Sequence, residues 1–111
     1  MLLLINGYYV DSRPAAIEEY FFHPKFSRLA SFDLDNISVW DLLEREYGVF
    51  KVSCSKKTIE IARTSKEEAT VLRVSKGEPV LLLRQMVCEP DGSPILRIKE
   101  YILGDTYKYV V

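Results

Sequence analysis

A tight turn between two apolar runs constrains the fold of this chain more than any other feature. Residues 90–93 read Pro-Asp-Gly-Ser, where proline fixes one backbone dihedral angle and glycine accepts a positive φ. The run before the turn, 80–88, is apolar on both faces and therefore predicts a central strand. The run after it, 95–103, predicts a second strand that returns beside the first. The pattern indicates an antiparallel hairpin inside a sheet.

A short helix is predicted directly before this hairpin. Ser65 stands at an N-cap position with Glu68 three residues later, the spacing of a capping box. Ala69 and Leu72 form a short apolar stripe, and Gly77 ends the helix. The unit is therefore helix, strand, tight turn, strand.

A similar hairpin opens the chain. Residues 2–10 predict a strand, 11–13 a turn, and the return strand runs from Pro14 to Phe22. Asn6-Gly7 lies within the first strand and has too few residues before it to be a hairpin turn, so it predicts a bulge or weak point. The sequence Asp-Ser-Arg-Pro of the first hairpin echoes Asp-Gly-Ser-Pro of the second, which predicts two related halves of one sheet.

The segment between the hairpins predicts a covering layer and one further strand. Residues 25–36 are a connector that wraps over the core or is locally helical. The clearest helix begins at Ser38, a good N-cap, and runs to Tyr47 before Gly48. Residues 50–62 alternate as a strand with a bulge or break at 55–57, and 107–111 predict a short final strand.

The amino-acid composition limits which classes of protein this chain can belong to. The 111 residues, 48% of them hydrophobic, are expected to form one small domain over residues 1–111. With 15 basic and 16 acidic residues, the segment has no electrostatic footprint for nucleic acid, so we expect no direct DNA contact. Cys54 and Cys88 lack metal-ligand spacing and predict buried, reduced thiols in a cytoplasmic protein. No run approaches a membrane span or a signal sequence, so no membrane association is expected.

Six short motifs occur in an order that is specific as a set. They are Asp-Ser-Arg-Pro (11–14), Ser-Val-Trp-Asp-Leu-Leu (38–43), Glu-Glu-Ala (67–69), Gly-Glu-Pro-Val-Leu (77–81), Asp-Gly-Ser-Pro (91–94) and Gly-Asp-Thr-Tyr-Lys-Tyr (104–109). In this order the chain resembles the effector-binding UTRA domain, the C-terminal half of GntR/HutC-type bacterial transcription regulators. The resemblance covers nearly the whole chain.

The resemblance implies a fold and a function. The family has the α+β fold of chorismate lyase, an antiparallel sheet with helices packed on it. Its members carry a further short helix before the first hairpin, and that helix is missing here. By resemblance, the domain dimerises, senses a small molecule and transmits its binding to a winged-helix DNA-binding half that is not in this chain. A homodimer is expected because such regulators act on two-fold operators.

The resemblance also implies candidate site residues. Ser38, taken alone, is a plain helix cap, although a helix N-terminus can also hold an anion or a sugar hydroxyl. In UTRA domains that bind phosphorylated sugars, the matching serine and its aromatic partner contact the ligand, and here they are Ser38 and Trp40. Alternation places Glu18 on the face of Ala16 and Tyr20. An acid on a strand commonly faces solvent, but the family's matching glutamate points at the effector.

Other positions depart from the family pattern. Asn6 and Tyr8 stand where the first strand commonly carries two arginines that hold an anionic group, and Leu96 and Ile102 replace a glutamate and a tyrosine. Glu100 is left as the one acid on its strand face. Arg97 and Lys99 are expected to point the other way, toward solvent or a partner. The predicted site is thus lined by these positions on the sheet and at the helix start: Asn6, Tyr8, Glu18, Ser38, Trp40, Leu96, Glu100 and Ile102. It should bind a less anionic effector, or none.

Two alternatives remain open on the sequence. A domain without a ligand could serve only to dimerise, and chorismate lyase itself has this fold. The single histidine, followed by proline, has no nucleophile partner, and no cluster has metal-ligand spacing. We therefore expect no catalytic residue, no metal, no cofactor and no enzyme activity.

Overall fold

A computed structural model describes residues 2–103 as one antiparallel sheet with helices on both faces. In chain order the elements are β1 (Leu2–Val10), β2 (Arg13–Phe22), a 3-10 helix (Pro24–Ser31), α1 (Val39–Tyr47), β3 (Ser53–Cys54), β4 (Thr58–Arg63), α2 (Lys66–Leu72), β5 (Pro79–Cys88) and β6 (Pro94–Ile102). The predicted α+β class is confirmed. Within residues 2–103 no helix precedes β1.

The two predicted hairpins form the centre of the sheet. The strand order is β1-β2-β6-β5-β3, and β4 also pairs with β5. The hairpins therefore join through β2 and β6, and β5 is an interior strand as its two apolar faces predicted. All the pairings are antiparallel.

Both hairpin turns follow their residue chemistry. Asp11 and Ser12 join β1 to β2 with φ values of 50° and 64°, and two successive positive φ angles match the right-handed twist of the flanking strands. Gly92 in the second turn has φ 91°, a conformation that glycine adopts without strain. The registers of both hairpins are therefore set by local sequence.

The core lies on both faces of the sheet. We call the face that carries Glu18 and Tyr20 the front face and the opposite one the back face. The 3-10 helix and α1 cover one half of the front face, where Phe26, Leu29 and Leu42 pack on strand residues. Helix α2 covers one end of the back face through Leu72, which packs on β2 and β5. The remainder of each face carries no helix among the described residues.

The amino end of α2 is capped as its sequence predicted. The backbone amide of Ser65 donates a hydrogen bond to Glu68 Oε1 at 3.3 Å, and the Ser65 hydroxyl donates to the carboxylates of Glu67 and Glu68. A hydrogen bond from its own backbone amide lowers the pKa of the exposed Glu67, and the hydrogen bond from the Ser65 hydroxyl lowers that pKa further. These contacts satisfy groups that a helix start leaves open.

Four expectations about local structure are corrected or fall outside the described range. In the stretch 50–62 only β3 and β4 are strands, separated by the predicted break, where the Ser55 amide and hydroxyl bond Met86. Asn6 and Gly7 pair regularly and the irregularities lie on either side of them, so the predicted bulge is wrong. Cys54 is exposed and Cys88 half-buried, because β3 is a two-residue edge strand. The predicted final strand, 107–111, lies outside the described residues.

No helix among residues 2–103 is long and apolar enough to cross a membrane.

Candidate functional site

Two carboxylates lie side by side on the front face. The register pairs Glu18 of β2 with Glu100 of β6, and the row continues to Asn6 on β1 and Leu83 on β5. Directly paired residues on one face of an antiparallel sheet have neighbouring side chains. The row therefore presents an amide, two acids and an apolar residue across four strands.

Two tyrosines support Glu18. The Tyr8 hydroxyl donates a hydrogen bond to Glu18 Oε1 at 3.0 Å. Burial raises the pKa of Tyr20, and the neighbouring Glu18 carboxylate raises that pKa further. The Tyr20 hydroxyl therefore keeps its proton beside the carboxylate. This support orients Glu18 before any ligand is present, which is a property of pre-organised sites.

The environment of Glu100 favours its protonated form. Burial raises the pKa of Glu100, the neighbouring Glu18 charge adds to the rise, and Lys57 opposes it. Like charges directly opposite each other on a sheet repel. The two acids therefore concentrate negative charge on the front face, and the Lys57 ammonium group partly offsets it.

A cavity of about 150 Å³ opens beside this row. Its walls carry both carboxyl groups, the Lys57 ammonium group and the Gln85 amide, while Leu83 and Ile98 supply apolar surface. Arg84 also lines it, but its Nε is 2.7 Å from Glu60 Oε1. The arrangement offers several hydrogen-bond acceptors, a few donors and an apolar floor to a small ligand.

Helix α1 begins next to the same row. The Trp40 ring lies 6.3 Å from the Tyr20 ring, centroid to centroid, at an interplanar angle of 60°. Ser38 occupies the N-cap position, as predicted, but its side chain makes no capping hydrogen bond. Its exposed hydroxyl and the first amides of α1 face outward from the helix start.

The predicted site residues are thus brought together to different degrees. Glu18, Glu100, Tyr8 and Asn6 lie on adjoining strand positions, and Trp40 joins them through Tyr20. Ser38 stands at the start of α1 and makes no hydrogen bond to the row among the described contacts. Whether these residues bind a ligand stays a prediction.

Leu96 and Ile102 do not line the cavity. Leu96 is 2% exposed and belongs to the core beneath the 3-10 helix and α1. Ile102 is fully buried and packs with Ala16 and Leu83. Both side chains share the front face but are covered by their neighbours, so their role is packing.

Sequence reasoning missed Tyr20, Lys57 and Gln85 as site residues. Tyr20 has the same strand parity as Glu18, so its position was available from alternation. Gln85 pairs with Ile98 on the same face, a register that the second turn determines. Lys57 lies in the break between β3 and β4, and no periodic signal places a side chain there.

No group of three or more histidine, cysteine, aspartate or glutamate side chains that could hold a metal ion occurs within residues 2–103. His23 has a local role instead, because its Nδ1 accepts a hydrogen bond from the Lys25 amide at the start of the 3-10 helix.

The sequence and the fold together match one class of regulatory domain. The UTRA domain family matches residues 4–108, and the chain belongs to this family. It is also 33% identical over 73 residues to the HTH-type transcriptional repressor NagR of Bacillus subtilis. That match covers 66% of this chain but 30% of NagR, so the chain spans about a third of the length of this relative.

Solved structures support the same fold. The C-terminal domain of YurK from Bacillus subtilis superposes with a TM-score of 0.85 at 18% identity, over 96% of this chain and 73% of that one. A GntR-family transcriptional regulator from Enterococcus faecalis V583 superposes with a TM-score of 0.74 at 20% identity, over 95% and 75%. At such identities the similarity establishes the architecture.

Proposed function

We propose that this domain senses a small molecule in the front-face cavity and passes its bound state to a DNA-binding half of a GntR/HutC-type transcription regulator. The observation that carries the proposal is the supported carboxylate row beside the start of α1, in a chain of the UTRA family. The winged-helix half would belong to the same regulator, as the helix-turn-helix in the name of its relative suggests. Such a protein would work in the cytoplasm.

The two carboxylates of the front cavity favour an effector that donates hydrogen bonds. Glu18 and Glu100 face one ammonium group, Lys57, across the cavity. Carboxylates accept hydrogen bonds from amines and hydroxyls, and bonds to charged groups are stronger than neutral ones. Trp40 and Tyr20 add aromatic surface beside the row, suited to stacking on a ring. An amine or a polyol fits this site better than a phosphorylated compound.

A homodimer is part of the proposal. Strand β1 pairs only with β2 among the described strands, so its outer edge offers free backbone groups. Apolar side chains on this strand are exposed, with Ile5 at 52% and Tyr9 at 59%. An exposed apolar edge favours pairing with another chain. A second copy is the partner expected of a regulator that reads two-fold operators.

We propose binding rather than catalysis. The curated relative is a transcriptional repressor, and Glu18 accepts a hydrogen bond from the Tyr8 hydroxyl rather than pairing with a nucleophile. A dimerisation domain without a ligand is the second candidate. It is favoured by the small size of the front cavity, about 150 Å³, since ligand sites commonly enclose about 300–1,000 Å³.

A thermal-shift screen with amines and polyols tests the proposal. Ligand binding to the folded state raises the unfolding free energy by about 4 kcal/mol at a thousandfold excess over Kd. A dimerisation unit would respond only to protein concentration, and an enzyme would convert the compound. Stabilisation by an unaltered compound supports sensing.

A further inference from the structure

The back face of the sheet carries a second cavity that the sensing function does not use. It encloses about 250 Å³ and is lined by four cationic side chains, with hydroxyl groups beside them: Lys56, Arg84, Arg97, Lys99, Ser55 and Thr58. The cations come from β5, β6 and the break between β3 and β4. The chain as a whole has net charge −1, so this concentration of positive charge is local.

The strand register creates the cluster. Arg97 and Lys99 alternate along β6 with residues of the front face, so they project from the back, as expected from sequence. Lys99 pairs directly with Arg84 on β5 and with Glu19 on β2. Glu60 neutralises Arg84, so the cluster keeps the unneutralised charges of Arg97 and Lys56 beside Lys99.

Three of the four cationic side chains form no ion pair with a described carboxylate, so their N–H donors are available to a ligand. Arg84 is engaged by Glu60. Within residues 2–103 no carboxylate lies within ion-pair distance of Arg97, Lys99 or Lys56. Glu19 pairs directly with Lys99 across the strands, and the Lys99 charge counteracts the burial that raises the pKa of Glu19, but the two groups form no ion pair.

The Phe21 ring holds two of these cations in place. The Arg97 guanidinium carbon lies 5.9 Å and Lys99 Nζ 5.3 Å from the ring centroid, distances at which a cation is attracted to the aromatic face. Both charged groups are therefore positioned beside the cavity while their N–H donors stay available.

We propose that this back-face cavity binds a small oxyanion, a compound with a phosphate or carboxylate group. The guanidinium fork of Arg97 can bind two oxygens of one such group, and Lys99 and Lys56 add compact charges. The Ser55 and Thr58 hydroxyls are suited to the remaining oxygens.

The two cavities adjoin and share Arg84, Gln85 and Ile98, but Arg97 and Lys99 lie on the face opposite to Glu18 and Glu100. The proposal therefore does not depend on whether the front cavity binds an effector.

The test is an NMR titration of the ¹⁵N-labelled chain. Inorganic phosphate and citrate are added in separate experiments, with ionic strength held constant by NaCl. We expect saturable shifts of the amides of Met86, Arg97 and Lys99, which line this cavity and not the front one, with at least one probe. The comparison of the two probes shows whether phosphate or carboxylate is preferred. The double variant R97Q/K99Q should bind at least about tenfold more weakly, as expected when charged hydrogen bonds are lost.

The matched control is R13Q/K66Q, which removes the same charge from exposed positions outside the cavity and should bind like the unaltered chain. If the double variant folds poorly, K56Q replaces it in the test. Lys56 lies in the break between β3 and β4, so K56Q should weaken binding without altering the sheet.

Several results would overturn the proposal. The first is the absence of any saturable shift with either probe beyond the NaCl control. The second is a set of shifts confined to the front cavity. The third is that R13Q/K66Q weakens anion binding as much as R97Q/K99Q does. Dissociation of a dimer by R97Q/K99Q without any anion would instead assign this surface to protein contact. Binding of duplex DNA that depends on Arg97 and Lys99, when both small probes fail, would assign it to nucleic acid.

Discussion

Glu18 and Glu100 lie directly opposite each other on β2 and β6, with both side chains on the front face of the sheet. Burial and the neighbouring Glu18 charge raise the pKa of Glu100, and the Tyr8 hydroxyl donates a hydrogen bond to Glu18. Under the proposed function, a ligand that brings positive charge or hydrogen-bond donors would relieve the repulsion between the acids.

Replacing Glu100 with glutamine should stabilise the chain at pH 7. The neutral amide removes the repulsion from Glu18, a cross-strand effect of about 0.2–1 kcal/mol. Urea unfolding of the variant and the unaltered chain measures the difference. Glu44→Gln, on the exposed face of α1, is the control and should leave stability nearly unchanged.

The same variant has a defined pH dependence. The pKa of Glu100 is raised above the usual 4.5 in the folded state. In the unaltered chain, the stability contributed by protonated Glu100 is therefore complete below pH 4.5 and is lost as pH rises through the folded-state pKa. The variant's advantage should therefore vanish below pH 4.5 and grow above it. An advantage that is largest in acid would contradict the repulsion between the two acids.

Ser38→Ala should cost less stability than Ser65→Ala. The Ser38 side chain makes no capping hydrogen bond, so its loss should cost below about 0.5 kcal/mol. Ser65 takes part in a reciprocal set of contacts with Glu68, and loss of such a cap costs about 0.5–2 kcal/mol. Chemical unfolding of both variants makes the comparison. A larger loss for Ser38→Ala would mean that its hydroxyl caps α1 after all.

Leu42→Ala should destabilise the chain by about 2–5 kcal/mol, the usual cost of a cavity in a well-packed core. Leu42 is fully buried and anchors α1 on the sheet. Val71→Ala is the control, because Val71 is 44% exposed on α2 and should change stability by about 0.5 kcal/mol or less. Equal losses from the two variants would show that α1 is not held by this core.

The chain should be a dimer in solution at about 100 µM, well above a micromolar Kd. Light scattering should give twice the chain mass of 12.8 kDa. Ile5→Lys on the exposed edge of β1 should shift the mass toward the monomer, whereas Val71→Lys on α2 should not. A monomer at this concentration would count against a regulator that reads two-fold operators.

Periodic and turn-based features were predictable from sequence because local chemistry determines them. Alternation along β2 separates Glu18 from Glu19, and in the structure Glu18 pairs with Glu100 on the front face while Glu19 pairs with Lys99 on the back face. The two turns depend on the tolerance of Asp11, Ser12 and Gly92 for positive φ. When the position and type of each turn are predicted correctly, the register of its hairpin is determined as well.

The remaining features depend on tertiary contacts that carry no periodic signal. The break that positions Lys57 is held by hydrogen bonds between Ser55 and Met86, thirty-one residues apart. Cys54 looked like a core residue, but β3 ends after two residues and leaves it exposed. Leu96 shares the strand face of the site and is nevertheless covered by the packing of α1.

The affinity of Glu18→Gln for a compound from the amine and polyol screen tests the central claim most directly. Isothermal titration calorimetry should compare this variant with the unaltered chain and with Glu19→Gln, on the back face. The carboxylate is expected to contribute about 1–3 kcal/mol through charged hydrogen bonds, so Glu18→Gln should bind about ten- to a hundredfold more weakly while Glu19→Gln binds normally. Equal affinity of all three proteins would place the effector site elsewhere and contradict the proposed sensing mechanism.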